Sequence, residues 1–188
     1  MKIATLDPGL ENFAYCVAEI EPLARHSPPA VIETGKFRTT LRDYDDATID
    51  VMSSMVEDFF NKFELGSGDV FFAERYTTRG GFGGQSQNRL VEPIGLMLGC
   101  FIHEAKQRDV EVILVTASTW KSFLIKRKVD WQLIIERRHR AGAFGRNVHE
   151  RDCMGMLQYY WRRQLLEVAR ASAHVKRLNA RARGRTRA

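Results

Sequence analysis

Three acidic residues stand where ordinary surface charge is not expected. Asp7 directly follows the apolar run at residues 3–6, and Glu74 directly follows the apolar run at residues 70–73. Asp152 lies in the first turn of a predicted helix, ahead of an apolar helical face. Carboxylates gathered from distant parts of a chain repel one another, so a cluster of them requires cations. Hard divalent cations that prefer oxygen ligands, above all Mg²⁺, meet that requirement.

Each acid also has a simpler explanation. Asp7-Pro8-Gly9 is a common turn sequence, and Glu74 could pair with Arg75 or Arg79. Asp152 could serve only to stabilise the N-terminus of its helix. Taken singly, each simpler explanation is the stronger one. The combination of all three acids, at the ends of two strands and the start of a helix, favours a shared site instead.

Hydrophobic periodicity divides the chain into strands and helices. Alternating or β-branched runs predict strands, the first three as an antiparallel meander, and apolar residues spaced three and four apart predict amphipathic helices. The predicted strands are 3–6, 12–20, 30–38, 69–76 and 111–115; the predicted helices are 45–63, 88–107, 116–123, 131–141 and 149–170; the predicted loops are 77–87 and 126–128. This order predicts an α/β fold with a five-stranded mixed sheet, the meander plus two parallel strands, covered by helices on both faces.

The charge of the chain is distributed unevenly. The 188 residues include 29 Lys and Arg against 23 Asp and Glu, a net charge of +6. Residues 1–74 carry 14 acids and 6 bases, residues 75–170 carry 9 acids and 17 bases, and residues 171–188 carry six bases and no acid. This polarity favours a polyanionic partner such as nucleic acid. We predict one domain over residues 1–170 and a basic, disordered tail over residues 171–188.

The sequence argues against a membrane or secreted protein. The longest apolar run, residues 93–102, is far shorter than the roughly 20 residues of a membrane-spanning helix. Asp7 interrupts the N-terminal apolar run too early for a secretory signal. Three scattered cysteines, Cys16, Cys100 and Cys153, form no metal-binding motif and indicate reduced thiols. We expect an intracellular protein without a membrane partner.

Each of the three acids lies in a short segment that also contains turn-forming or basic residues. The segments are Asp7-Pro8-Gly9 with Asn12, Glu74-Arg75 followed by Arg79-Gly80-Gly81, and His149-Glu150-Arg151-Asp152. In this order they resemble the motifs of the RuvC-like Holliday junction resolvases, in the branch found in mitochondria, poxviruses and other large viruses or phages. The resemblance covers about residues 1–165.

The resemblance implies an RNase H-like fold and a metal-dependent endonuclease that nicks four-way DNA junctions in pairs, leaving 5′-phosphate and 3′-hydroxyl ends. It implies that Asp7 bridges two Mg²⁺ ions about 3.5–4 Å apart, with Glu74 and Asp152 each completing the shell of one ion. Mn²⁺ would substitute for Mg²⁺. His149 is expected to bind a metal or to orient or deprotonate the attacking water. Glu150 remains the alternative to His149 at the metals.

Basic side chains near the predicted strand ends are expected to bind DNA phosphates. The predicted DNA-binding residues are Arg75, Arg79, Phe82, Arg89, Lys121, Lys126, Arg127 and Lys128. Phe82 stands in the glycine-rich loop, where it either stacks on unpaired bases or folds back onto the body. Trp120 and Trp131 are interpreted as core residues rather than base-stacking ones.

Paired nicking by one active site per chain implies a twofold homodimer. The apolar segment at residues 93–102 surrounds Gly95 and Gly99 and is apolar nearly all round. Such a helix can bury one face in the core and another in a partner. The resemblance also implies that this helix forms the dimer interface.

Three other functions remain open from the sequence. A nuclease of the same fold could act more broadly on flaps or other branched DNA, because it would share the metal site. A non-catalytic nucleic-acid-binding protein is disfavoured by the three retained acids. Sugar-kinase and actin-like ATPases also begin with Asp-x-Gly on a first strand, but they need two such domains, and this length suits one.

Overall fold

The computed structural model describes residues 1–8, 13–21, 27–37, 46–75, 84–129 and 148–185. Their elements, in chain order, are β1 (Lys2–Asp7), β2 (Phe13–Glu19), β3 (Ala30–Phe37), α1 (Asp46–Phe63), β4 (Val70–Glu74), α2 (Gly84–Gln107), β5 (Glu111–Val115), α3 (Ala117–Lys126) and α4 (Val148–Arg185). The helix predicted at residues 131–141 and most of the predicted glycine-rich loop lie outside the described residues.

The five strands form one mixed sheet in the order β3-β2-β1-β4-β5. β1 and β3 both run antiparallel to β2, whereas β4 runs parallel to β1 and to β5. The predicted meander with two added parallel strands is therefore confirmed. β1 lies at the centre, so its C-terminal end is flanked by strands on both sides.

The sheet separates two hydrophobic cores. On one face, α1 and α2 pack on the sheet, and Phe101 of α2 stacks on Phe71 of β4 with ring centroids 5.5 Å apart. On the other face, Trp120 of α3 and Met156 of α4 belong to the same core as Phe72 of β4. This confirms the prediction of helices on both faces.

The helix boundaries differ from the predicted ones in three places. α2 already begins at Gly84, so the end of the predicted glycine-rich loop is helical. α3 extends to Lys126, which was predicted to lie in a loop. α4 does not end near residue 170 but continues to Arg185.

Residues 171–185 continue α4, whereas the sequence predicted that residues 171–188 are disordered. This segment is rich in alanine, lysine and arginine, which have high helix propensity, and it contains no proline. The prediction relied on its low hydrophobicity and gave too little importance to that propensity. The helices within the described ranges include none with the length and hydropathy needed to cross a bilayer.

Candidate active site

The register of the sheet brings Asp7 and Glu74 together. Leu6 of β1 pairs with Ala73 of the parallel strand β4. Asp7 and Glu74 are the next residues, and each closes its strand at the same edge of the sheet. Since side chains alternate between the two faces of a strand, both acids face α3 and α4.

The start of α4 is tied to the strands by two buried hydrogen bonds. The hydroxyl of Thr5, in the middle of β1, donates to the carbonyl oxygen of Cys153 at 2.9 Å. The Cys153 thiol donates in turn to the carbonyl oxygen of Ala14 on β2 at 3.2 Å. These bonds set the first turns of α4, which carry His149 and Asp152, beside the end of β1.

The start of α3 contacts two of the acids through consecutive residues. Thr116 follows β5 directly and caps α3, its side chain accepting a hydrogen bond from the backbone of the first turn. The Trp120 indole Nε1 then donates to Oε2 of Glu74 at 2.9 Å. The Lys121 ammonium donates to Oδ2 of Asp152 at 2.7 Å. α3 therefore connects the acid on β4 to the acid on α4.

His149 and Glu150 are adjacent in sequence but contact different strands. Nδ1 of His149 lies 2.9 Å from Oδ2 of Asp7. Glu150 is only 8% exposed, and its Oε2 accepts a hydrogen bond from the Thr34 hydroxyl on β3 at 3.2 Å. Of the two alternatives, His149 is therefore the residue that contacts Asp7.

The acids influence one another electrostatically. Burial raises the pKa of the Asp7 carboxyl, and the hydrogen bond to His149 only partly offsets this. Burial also raises the pKa of Glu74, and the negative charges of Asp7 and Asp152 raise it further. The positive charge of Lys121 lowers the pKa of both carboxyls without cancelling these effects. Ionising these two carboxyls therefore costs free energy that their protein partners do not fully offset.

This donor set fits a hard divalent cation such as Mg²⁺, which prefers carboxylate oxygens. One oxygen each of Asp7, Glu74 and Asp152 is held by a protein partner, and the second oxygen is the candidate ligand atom. Among the residues that the structure describes, no three or more His, Cys, Asp or Glu side chains already form a coordination shell. In this arrangement Lys121 supplies the positive charge beside the acids.

The predicted DNA-binding residues are distributed over several elements. Arg75 is exposed directly after Glu74, and Lys126, Arg127 and Lys128 are exposed at the C-terminal end of α3. Lys126 is five residues beyond Lys121, about 7.5 Å farther along the helix axis. Arg79 and Phe82 lie outside the described residues, and so does the side chain of Arg89 of α2. Trp131, which was interpreted as a core residue, also lies outside them.

Sequence reasoning missed two residues that shape the site. Trp120 was interpreted as a core residue, and it is fully buried, but its N–H also binds Glu74. A buried indole normally needs an acceptor, and that rule was the available signal. Thr5 gave no signal, because threonine is common in strands and its hydrogen bond to Cys153 spans most of the chain.

No protein-family model and no curated protein matches this sequence. Several solved structures are similar to it. RuvC of Thermus thermophilus, solved in complex with Holliday junction substrate, is 17% identical with a TM-score of 0.61, over 86% of this chain and 96% of RuvC. The yeast mitochondrial Holliday junction resolvase Ydc2 is 12% identical with a TM-score of 0.63, over 88% of this chain and 82% of Ydc2.

The fowlpox virus Holliday junction resolvase is 15% identical with a TM-score of 0.51, over 86% of this chain and 99% of the viral protein. Identities of this size establish a likeness of fold alone, and the mixed five-stranded sheet described above agrees with that likeness. The chain therefore has the RNase H-like fold of the RuvC-type resolvases, which the three sequence motifs predicted.

Proposed function

We propose that this protein is a metal-dependent endonuclease that resolves four-way DNA junctions by paired nicks, leaving 5′-phosphate and 3′-hydroxyl ends. One observation carries the proposal. Asp7 and Glu74 end adjacent parallel strands on one face of an RNase H-like sheet, and Asp152 on α4 is close enough to raise the pKa of both. A cluster of this kind suits the hydrolysis of a polyanionic phosphodiester.

Asp7, Glu74 and Asp152 would hold the divalent cations, Mg²⁺ or Mn²⁺. When bound, such ions polarise the phosphate and make a bound water nucleophilic at neutral pH. The hydrogen bond between Nδ1 of His149 and Asp7 fixes the imidazole, so Nε2 is the nitrogen that can accept a proton from the attacking water. The His149 side chain is 43% exposed, which leaves it accessible to substrate.

Basic side chains on both sides of the three acids would hold the DNA. Arg75 is exposed beside Glu74, and Lys121 is already beside Asp152. When a divalent cation takes over Asp152, the Lys121 ammonium can pair with a phosphate. The exposed lysine and arginine side chains at residues 126–128 would extend the contact along the DNA phosphate backbone. Such contacts contribute affinity but little sequence information.

The outer part of α4 offers a second basic surface. Arg170, His174 and Arg177 are exposed at four- and three-residue spacing, which places them on one face of the helix. Arg181 and Arg185 continue the same spacing in the sequence. We propose that this face contacts a DNA arm beyond the crossover.

A twofold dimer would supply two active sites for the paired nicks. A groove of about 330 Å³ lies between α1 and α2. Gly95 and Gly99 line it from α2, and a Cβ added at either would meet open space in the monomer. Small exposed residues on an apolar helix allow close approach of a second helix, which supports α2 as the dimer contact.

The test is a panel of labelled four-way, three-way, flap and linear duplex DNAs with Mg²⁺. Wild type is expected to cut the four-way junction with symmetric nicks. Asp7→Asn and Glu74→Gln are expected to bind the junction but to cut it at least about 10²-fold more slowly, the smallest loss typical of removing a charge-stabilising group.

Full cleavage by either variant would contradict the assignment of the acids. Equal cleavage of flaps and junctions would indicate a broader branched-DNA nuclease. A wild type that binds junctions yet cuts none of the four substrates, with Mg²⁺ or Mn²⁺, would indicate a non-catalytic DNA-binding protein.

A further inference from the structure

We infer that Trp120 is a positioning residue for the candidate active site, wedged between Glu74 and α4 so that it fixes where the Glu74 carboxylate lies relative to Asp152. The inference rests on the proposed function only in taking the ligand of these acids to be a divalent cation. It concerns a residue whose burial alone would class it as ordinary core.

The indole is held at both ends. At one end, its Nε1–H donates to Oε2 of Glu74 at 2.9 Å. At the other end, its six-membered ring lies against Gly155 of α4, where an added Cβ would stand only 2.6 Å from Cζ3 and 3.1 Å from Cη2 of Trp120. Glycine at position 155 therefore forms a notch that no larger residue would leave open.

The ring has little freedom to yield, because Trp120 is 0% exposed and packs within the core between the sheet and the α3 and α4 helices. Gly155 is three residues from Asp152, about one turn along α4. The indole thus spans the distance from the α4 backbone near Asp152 to the Glu74 carboxylate. Closing the notch would push the ring toward β4 and displace Glu74.

The neighbouring residue strengthens this coupling. Lys121 donates to Asp152, and its Nζ also lies 4.9 Å from the centroid of the Trp120 ring. The indole N–H is a neutral donor, so it orients Glu74 without neutralising its charge. A carboxylate fixed through one oxygen presents the other in a defined direction. Loss of such an outer-shell partner typically weakens metal binding by about 10–100-fold.

Packing and positioning can be separated with two variants. Trp120→Phe removes the N–H donor and shortens the ring, which loosens the core. Trp120→Phe/Gly155→Ala fills the notch that the shorter ring vacates and still lacks the donor. We expect the double variant to recover part of the lost melting temperature, while Mn²⁺ binding without DNA, measured from the spin resonance of free Mn²⁺, stays about 10-fold weaker than in wild type.

The indole N–H signals in the proton NMR spectrum of the metal-free protein provide a second readout. The chain has three tryptophans, and the variants Trp131→Phe and Trp161→Phe identify two of the three indole N–H signals, leaving that of Trp120. We expect Glu74→Gln and titration with Mg²⁺ each to shift the Trp120 signal.

A Trp120 indole signal that ignores both Glu74→Gln and Mg²⁺, or wild-type Mn²⁺ affinity in a folded Trp120→Phe variant, would overturn the inference. Failure of the proposed function looks different. If wild type cuts no DNA but the indole signal responds to Glu74→Gln and Mn²⁺ affinity falls on loss of the N–H, the positioning role stands and only the nuclease assignment fails.

Discussion

The Lys121 ammonium lies 2.7 Å from Oδ2 of Asp152, and its charge also lowers the pKa of Asp7 and of Glu74. One lysine therefore acts on all three acids of the candidate active site. An ammonium in this position would compete with a divalent cation for the same carboxylates.

The role of Lys121 as an internal counterion predicts opposite effects with and without metal. Lys121→Gln is expected to lower the melting temperature of the metal-free protein modestly, because a partly exposed ion pair contributes about 1 kcal/mol or less. The same variant is expected to be stabilised more by Mg²⁺ than wild type is, since the competitor is gone. Lys126→Gln, exposed on the same helix, is the charge-matched control. Equal Mg²⁺ effects in all three proteins would contradict the prediction.

Burial of the acids predicts a pH-dependent stability. Because the pKa values of Asp7 and Glu74 are raised, the folded protein binds these protons more tightly than the unfolded chain. The two protonated carboxyls contribute fully to stability at pH values below their pKa values in the unfolded chain, near 3.8 for Asp7 and 4.5 for Glu74. This contribution is lost as the pH rises through their higher pKa values in the folded protein. At neutral pH the ionised, metal-free cluster therefore destabilises the fold.

Asp7→Asn should remove part of that penalty. We expect the metal-free variant to melt a few degrees above wild type at neutral pH, about 1 kcal/mol for a chain of this size, and the difference to shrink toward acid pH. Added Mg²⁺ should then stabilise wild type more than the variant. Thermal melts across pH with a chelator present measure both effects. A neutral-pH loss of stability in Asp7→Asn would count against the prediction.

The sequence predicted the sheet and the two strand-end acids because both depend on local patterns. Alternation marked the meander, and the apolar runs before Asp7 and Glu74 marked two strands, which the structure shows to be neighbours that run parallel. It could not separate His149 from Glu150. Adjacent residues on a helix point about 100° apart, and the Thr5–Cys153 hydrogen bond that docks α4 joins distant segments.

Two features of the structure were not predicted, for physical reasons. The tail was expected to be disordered from its charge, but its alanine and arginine residues continue α4 to Arg185. The assignment of Trp120 to the core is confirmed, but hydrophobicity did not indicate the hydrogen bond that its N–H makes to Glu74. Both cases concern properties that hydrophobic periodicity does not measure.

The exposed glycines of α2 provide a test of the proposed dimer. Gly99→Arg places a large charged side chain where the monomer has open space, and arginine also favours a helix interior over glycine by roughly 0.5–1 kcal/mol. We therefore expect a folded protein that sediments as a monomer, while wild type sediments as a dimer. Gln107→Arg adds the same charge at an exposed position of α2 outside the groove and should leave the dimer intact. A monomeric wild type would refute the proposed interface.

The basic face of α4 predicts a change in salt dependence. Arg170→Gln/Arg177→Gln removes two exposed charges from one face of the helix. If each arginine neutralises one phosphate, the slope of log affinity against log salt should fall by about 2, and affinity for a junction with long arms should fall with it.

The matched control places the same change in charge on the opposite side of α4. Val168→Glu/Val175→Glu alters two exposed positions that are also seven residues apart, but it points the new charges away from the arginine face. We expect this pair to weaken binding slightly through net charge and to leave the slope nearly unchanged. Binding measured at several salt concentrations distinguishes the two pairs. Identical slopes for the two double variants would mean that DNA binding depends on the net charge of the helix and not on direct contact with its arginine face.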